Sequence, residues 1–149
     1  MNIIPPITMI CEYLSVDPST LKNLGEERVV IKAQLLRLLL RMAASTLPFD
    51  GDWYCETNPD VRKAFEAGEI ADLREDFLST GFFEGRVGAP VVLNEAWYLA
   101  QFPDVRNAIA SGRATSARDH YEMVGVAEWR APPPEVIEDL HRWRSALIK

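Results

Sequence analysis

Apolar residues recur three and four positions apart along much of this chain, which is the spacing of amphipathic helices. One such stretch follows Asn58-Pro59, a favourable helix start with proline at the first helical position, and Gly68 is placed to end it. A second stretch follows Asp72, where Glu75 three residues on completes a variant of the capping box. The pattern therefore predicts short helices with defined ends.

This pattern occurs twice, with a constant offset of 44 residues. Each copy is predicted to hold two or three short helices, including one that begins at Asp50 or Asn94 and carries a Trp-Tyr pair. In the second copy the last helix begins at Ser116, with Asp119 three residues on. A unit this small is not expected to bury its apolar face alone, so the copies should pack on one another. The matching pairs include Trp53–Trp97, Pro59–Pro103, Gly68–Gly112, Gly81–Gly125 and Arg86–Arg130.

The last helix of each copy supplies a core aromatic residue. Phe77 in the first copy and Tyr121 in the second are predicted to be buried, and Gly81 and Gly125 are predicted to end these helices. Phe102, at the cap position of the second copy, is a weaker cap than a polar residue. Together these signals predict an all-α fold.

The head of the chain, residues 1–47, holds the most apolar segment, residues 26–45. Arg37, Arg41 and Ser45 share one face of this predicted helix. Because apolar residues cover so much of the rest, we expect burial against more than one neighbour. One interpretation is that this helix is simply the central core helix of the monomer. The other is that it also forms a homodimer seam. The residues assigned to self-association are Ile31, Leu35, Leu38, Leu39 and Met42, and Leu36, Leu40 and Ala43 widen their stripe.

The tail, residues 135–149, is predicted to form one helix that caps the open end of the repeats. Pro134 stands at its first position, and its acidic residues precede its basic ones, as the helix dipole favours. The chain is thus predicted to have three parts: the head, a two-repeat module over 48–134, and the tail. The apolar stripe of the tail consists of Val136, Leu140, Trp143 and Leu147.

Charge and cysteine content narrow the class of function. The net charge of −6 disfavours binding to nucleic-acid phosphates. Cys11 and Cys55 have no CxxC spacing, so we expect two reduced thiols in a cytoplasmic protein. No stretch reaches the roughly 18 uncharged residues that a membrane span needs, so we expect none.

The pattern Trp-Tyr-x4-Pro-Asp-Val, then an aromatic residue and Gly-x-x-Glu-x-Arg, resembles a bacterial repeat close to WYLxxNPDVAxAG…HYLxxGxxEGR. This repeat occurs in modules attached to glycosyltransferases and other polysaccharide-biosynthesis proteins, and in some hemolysin-type proteins. Copy two departs from it at Trp129, where the repeat has glycine, and copy one lacks its His-Tyr pair. The resemblance covers the two copies only. It implies an accessory module in exopolysaccharide or envelope polysaccharide production, with a glycosyltransferase or membrane synthase as protein partner.

Charged residues are placed to close each copy. Asp60 and Asp104 follow proline in the first turn of a helix, where free N–H groups face a carboxylate. Arg86 and Arg130 are predicted to pair with them or with the glutamate two residues earlier. We interpret the pairs as a structural clamp rather than a ligand site. The predicted clamp residues are Trp53, Tyr54, Pro59, Asp60, Arg86, Trp97, Tyr98, Pro103, Asp104 and Arg130.

Signals for chemistry are weaker. The Trp-Tyr pairs are interpreted as core residues, with platforms for sugar rings as the alternative. Asp50-Gly51-Asp52 has the DxD spacing of glycosyltransferases, but a helix start explains it better. His120 and His141 have no neighbouring ligand residues at metal spacing. We therefore expect no catalytic residue, no cofactor and no metal.

Residues 11–24 provide one rival interpretation. They resemble the turn and second helix of a helix-turn-helix protein, with Ser19, Thr20 and Lys22 facing a DNA groove. The acidic charge opposes this, and nucleic acid is not the expected partner. The sequence favours a non-enzymatic interaction or scaffold protein that forms a homodimer. The alternatives are a DNA-binding transcriptional regulator and a carbohydrate-binding module.

Overall fold

The computed structural model describes residues 5–22 and 28–148, and every regular element within them is helical. The prediction of an all-α fold is confirmed. The chain divides into two compact units, Met1–Ala89 and Pro90–Lys149. The head and the first copy share unit one, and the second copy and the tail share unit two. This division falls between the copies, whereas the predicted boundaries stand at residues 47 and 134.

Unit one contains six of the helices. Two form the start of the head, one is the apolar head helix, and three belong to the first copy. A 3₁₀ turn over Gly81–Glu84 follows the last of them. The helices are α1 (Ile7–Leu14), α2 (Pro18–Lys22), α3 (Ala33–Ala44), α4 (Gly51–Thr57), α5 (Pro59–Glu66) and α6 (Leu73–Ser79).

Unit two repeats the three helices of the copy and adds the tail helix. A π-helical turn over Tyr121–Gly125 stands where unit one has the end of α6 and the first residue of its 3₁₀ turn. A 3₁₀ turn over Pro134–Val136 leads into the tail helix. The helices are α7 (Glu95–Gln101), α8 (Pro103–Ala110), α9 (Ala117–His120) and α10 (Ile137–Leu147).

The predicted helix starts are confirmed at four polar residues. The Asp50 carboxylate accepts from the Trp53 N–H at 3.0 Å, and the Asn94 side chain accepts from the Trp97 N–H at 3.1 Å. Asp50 is therefore a helix cap, as the helix-start interpretation of the DxD spacing predicted. The other two caps are Asp72, which accepts from the N–H groups of Arg74 and Glu75, and Ser116, which accepts from that of Asp119.

The second half of the predicted capping boxes is wrong. Glu75 does not return to the start of α6, because its carboxylate binds Arg41 of α3 at 2.8 Å instead. Asp119 accepts from the backbone N–H and the hydroxyl of Thr115, one residue before the cap. The expected bond to the N–H of the cap residue is therefore replaced in both copies. In the first copy an ion pair with α3 replaces it, and in the second a bond to the residue before the cap.

Asn58 occupies the predicted cap position, but its side chain does not cap α5. Its amide donates to the Tyr54 carbonyl at 2.8 Å, and its amide oxygen accepts from Arg86 at 3.3 Å. The side chain therefore satisfies the end of α4 rather than the start of α5. Pro59 still stands at the first position of α5, where its missing N–H leaves nothing unpaired.

Gly68 and Gly112 end α5 and α8 as predicted. Both adopt left-handed backbone angles, φ 75° and 74°. In the residue after each glycine the N–H donates to the carbonyl five positions earlier: Glu69 to Ala64 and Arg113 to Ala108, both at 2.9 Å. This is the Schellman arrangement. Glycine tolerates this conformation without a steric penalty.

Each copy has its own aromatic core. In unit one Tyr54 and Phe77 are buried with Ala44 of α3. In unit two Tyr98 and Tyr121 are buried together, so the predicted core aromatics Phe77 and Tyr121 are confirmed. Packing of the copies on one another stays a prediction.

Gly81 and Gly125 stand where the last helical segment of each copy ends, as predicted, but neither adopts the left-handed backbone of a glycine cap. Gly81 opens the 3₁₀ turn and Gly125 closes the π-helical turn. A Cβ atom at Gly81 would overlap the Tyr54 hydroxyl, and one at Gly125 would lie 2.5 Å from the Tyr98 hydroxyl. Glycine is needed at these positions because a buried tyrosine hydroxyl packs against the backbone.

The head helix is shorter and less buried than expected. Of the predicted segment 26–45, residues 26 and 27 lie outside the described residues, and Ile31 precedes α3. Only Ala44 of α3 is buried, so a central core helix is the wrong interpretation. The polar face contacts the first copy: the Arg37 guanidinium lies 3.9 Å from the centre of the Phe83 ring, and Arg41 pairs with α6.

The tail helix α10 is confirmed over most of its predicted length, and Lys149 lies outside the described residues. Its apolar stripe is only partly covered. Val136 and Leu140 are half-buried, whereas Trp143 and Leu147 are exposed. The start of the tail therefore packs on unit two and its end does not.

One hydrogen bond joins the beginning of each copy to its end. The Asp50 N–H donates to the Gly88 carbonyl at 2.9 Å, and the Asn94 N–H donates to the Pro132 carbonyl at 3.2 Å. The first helix of a copy is thereby attached to the segment that follows its last turn.

Candidate functional site

The predicted clamp residues of the first copy meet at the side chain of Arg86. Its guanidinium donates to both carboxylate oxygens of Asp60, at 3.0 and 2.8 Å, and through Nε to Glu84 at 3.0 Å. Such two-point pairs of planar groups are the stronger class of charged hydrogen bond. Arg86 therefore contacts both of the predicted partners at once.

The second copy has the same arrangement around Arg130. Its guanidinium donates to Asp104 at 3.0 and 2.8 Å and through Nε to Glu128 at 2.7 Å. The guanidinium also lies 4.8 Å from the centre of the Phe102 ring, in the range of a cation–π contact. In the first copy the position of Phe102 is held by Asn58, which binds Arg86 by a hydrogen bond instead.

The clamps change the acidity of their members. Hydrogen bonds from Arg86 and Arg130 lower the pKa of Asp60 and Asp104 below the usual value of aspartate. The same bonds raise the pKa of both arginines, so these pairs stay ionised at neutral pH. Each arginine thus binds two carboxylates of its own copy, and the effect of the clamp on stability stays a prediction.

The buried tyrosine of each copy bonds to a different partner. The Tyr54 hydroxyl donates to Asp76 at 3.1 Å, and the Tyr98 hydroxyl lies 3.2 Å from Nδ1 of His120. Burial raises the pKa of both phenols. Both tyrosines are fully buried, with 0% of the residue exposed, so neither offers a face to a sugar ring.

Unit two contains a groove that was not predicted from the sequence. It lies between α7, the segment Glu128–Ala131 and α10, and its volume is about 340 Å³. We call it the tryptophan groove, and its principal lining residues are Trp97, Phe102, Trp129, Ile137, His141 and Arg144. The departure of Trp129 from the repeat pattern was the one sequence signal that pointed to this place.

Trp129 has an unusual backbone. Its φ of 58° lies in the left-handed region, which is rare and strained for a bulky residue. Gly85 holds the matching position of the first copy with a φ of 80°. The turn thus takes the same left-handed form in both copies, but only the second copy fills it with an indole.

The first copy has a smaller hollow of about 180 Å³ beside its clamp, lined by Asp60, Asp76, Glu84 and Arg86 among others. Its acids are already occupied by Arg86 and the Tyr54 hydroxyl. Within residues 5–22 and 28–148, no group of His, Cys, Asp and Glu side chains is arranged to hold a metal ion.

Comparison with protein-family models, with curated proteins and with solved structures found no match to this chain. The resemblance to a bacterial repeat therefore stays an expectation. Over the same described residues, no helix combines the length and apolar character needed to cross a bilayer. Cys11 and Cys55 are both free thiols, the first buried and the second half-buried.

The head contains the helix pair on which the DNA-binding alternative depends. Ser15 caps the end of α1 with a left-handed φ of 53°, and Asp17 accepts from the Ser19 N–H at 2.7 Å at the start of α2. Ser19 and Lys22 are exposed and Thr20 is half-buried. Residues 23 and 24 of the predicted second helix lie outside the described residues.

Proposed function

We propose that this protein is a non-enzymatic interaction module that associates with a second copy of itself through α3. In this proposal it serves as an accessory or scaffold in bacterial exopolysaccharide or envelope polysaccharide production. The polysaccharide context follows from the resemblance of the repeats. The association follows from the orientation of α3, which is the observation that carries the proposal.

The orientation of α3 supports association because its polar face is the one that contacts its own unit. Arg41 pairs with Glu75, and the Arg37 guanidinium donates to the Ser79 carbonyl. On the other side Leu38 and Leu39 remain 53% and 48% exposed. Leucines that project from a helix anchored in this way favour burial against a partner.

The predicted self-association residues do not contribute equally to this surface. Leu38 and Leu39 are exposed, whereas Leu35 and Met42 are half-buried, as is Ile31 ahead of the helix. Leu36 is also 45% exposed and extends the surface. We define the leucine face as Leu36, Leu38 and Leu39.

The repeats support a framework role rather than a catalytic one. The residues that both copies share are used inside each copy: Arg86 and Arg130 bind their own carboxylates, and the tyrosines fill their own cores. A protein partner, such as a glycosyltransferase or membrane synthase, would then bind where the copies differ.

The test is the molar mass of the intact chain by light scattering over a range of concentrations. We expect a dimer for the wild type and a monomer for Leu39→Lys, because a charge on the leucine face cannot be buried without a partner. Gln34→Lys adds the same charge at another exposed position of α3 and should leave the dimer intact. A wild-type monomer at every concentration would remove the proposal.

The DNA-binding alternative has its own test. Retardation of duplex DNA that is lost with Lys22→Glu would favour a regulator that uses α2. Absence of retardation at low salt, where phosphate contacts are strongest, would remove that alternative.

A further inference from the structure

Trp129 holds a left-handed backbone, with a φ of 58°. A bulky residue in the left-handed region is strained, and such outliers concentrate at functional sites. The first copy shows that glycine serves the same turn, because Gly85 has a φ of 80°. The indole is therefore not needed to form the turn, so its role lies in what its side chain contacts.

The side chain of Trp129 lines the tryptophan groove together with Trp97 and Phe102. Trp97 and Trp129 are each half-buried, so part of each indole remains accessible. Trp97 is held edge-on against Phe102, with ring centres 6.2 Å apart. A volume of about 340 Å³ is at the small end for ligand sites.

Some charged groups around the tryptophan groove are already paired and others are not. Glu128 is occupied by Arg130, whose remaining donors bind Asp104. His141 and Arg144 of α10 also line the groove, and no ion pair to either is present among the described residues. The groove thus offers a guanidinium with no ion-pair partner among residues 5–22 and 28–148, on a protein whose net charge is −6.

We infer that the tryptophan groove binds a saccharide that carries a carboxylate, such as a uronic acid unit. The apolar C–H face of a sugar ring packs against an indole, and its hydroxyl groups match the Gln101 amide and the His141 imidazole, which also line the groove. The carboxylate pairs with Arg144, which has the planar geometry that carboxylates favour. This inference does not depend on association through α3, so each can fail without the other.

The test uses the intact chain and oligosaccharides of galacturonate, glucuronate and mannuronate, followed by calorimetry and tryptophan fluorescence. We expect at least one of the three to bind more tightly than a neutral galactose oligosaccharide. Trp129→Gly should lower the affinity about tenfold or more while preserving the helical circular dichroism spectrum, because glycine already occupies this turn in copy one. Trp143→Ala removes an exposed tryptophan outside the groove and should leave binding unchanged.

Arg144→Gln should abolish the preference for the acidic over the neutral saccharide and weaken the salt dependence of binding. Arg142→Gln, on the same helix, is the matched control because Arg142 pairs with Glu138 rather than lining the groove. If none of the three uronates binds, or if Trp129→Gly and Arg144→Gln bind as the wild type does, the inference is overturned. Binding of a proline-rich peptide in place of any uronate, lost with Trp129→Gly, would make the groove a peptide site and also overturn it.

Discussion

The two copies share a frame and differ in what is attached to it. In the first copy α6 and the 3₁₀ turn after it hold the head helix, α6 through Glu75 and the Ser79 carbonyl and the turn through Phe83. The second copy has Asp119, Met123 and Ala127 at these positions, and Met123 is 65% exposed. The Asp119 carboxylate accepts from Thr115, and Ala127 has no ring, so the side-chain contacts of Glu75 and Phe83 have no counterpart in this copy. It has instead the groove formed with α10. The shared residues thus hold each copy together, and the residues that differ decide which additional helix packs on it.

The same contrast applies inside the cores. Tyr54 and Tyr98 are buried in the same way, and each hydroxyl lies against a glycine. The hydrogen-bond partner is Asp76 in one copy and His120 in the other. The geometry of the tyrosine is thus retained while the chemistry of its partner changes.

Breaking the glycine contact should have the largest effect on stability. We expect Gly81→Ala and Gly125→Ala each to lower the free energy of unfolding by about 2 kcal/mol, because the new methyl group forces a buried tyrosine to move. Urea denaturation measures the loss. Gly51→Ala is the matched control, because its nearest neighbour would lie at an ordinary 3.4 Å.

The two copies should differ in how this loss is relieved. Tyr54→Phe removes the atom that a Cβ at Gly81 would overlap, so the double variant should recover much of the lost stability. Tyr98→Phe should recover less in the second copy, because the Tyr121 ring also lies 2.8 Å from a Cβ at Gly125. Equal recovery in both copies would show that the hydroxyl alone sets the need for glycine.

Removing the clamps should have an intermediate effect. Arg86→Ala and Arg130→Ala are each expected to cost about 1 kcal/mol, the upper part of the range for partly exposed ion pairs, because the contacts are two-point and shared with a second carboxylate. The larger loss is expected for Arg130, whose side chain is 16% exposed and also lies over Phe102. Thermal denaturation measures both.

Arg62→Ala and Arg106→Ala provide matched controls for the clamp variants. These arginines hold equivalent positions in α5 and α8 and are exposed. If the clamp variants melt no earlier than these controls, the clamp does not stabilise the copies.

Lowering the pH should reduce the contribution of the clamps to stability, by less than the arginine substitutions do. The pKa of Asp60 and Asp104 is lower in the folded state than the ordinary value of 3.8. Their contribution is therefore complete above that value and is lost as the pH falls through the lowered folded pKa. Asp60→Asn and Asp104→Asn should be less stable than the wild type at pH 7, and the difference should narrow as the pH falls below about 4. A gap that stays constant in denaturation curves down to pH 2 would contradict this linkage.

Local features were predictable from the sequence because their causes lie within a few residues. The caps at Asp50 and Asn94 and the ends at Gly68 and Gly112 depend only on neighbouring backbone groups. The need for glycine at position 81 was not predictable, because it depends on the hydroxyl of Tyr54, 27 positions earlier in the chain.

The candidate site was less accessible to sequence reasoning. Periodicity identified the apolar stripe of α3, but it did not show which face of α3 packs on unit one. The arginine face could have pointed to solvent, whereas Arg37 binds the Ser79 carbonyl and the Phe83 ring. The tryptophan groove needed α10 and α7 to meet, which no local pattern encodes. Only the replacement of glycine by Trp129 marked its position.

The bond that joins the beginning of each copy to its end has a consequence for how such chains grow. Asp50 meets Gly88, and Asn94 meets Pro132, so a copy closes upon itself and needs no partner for that bond. A gene segment that encodes one copy can then be gained or lost as a cassette without breaking the contacts inside its neighbours. New binding properties would arise from the side chains that each cassette leaves at its surface.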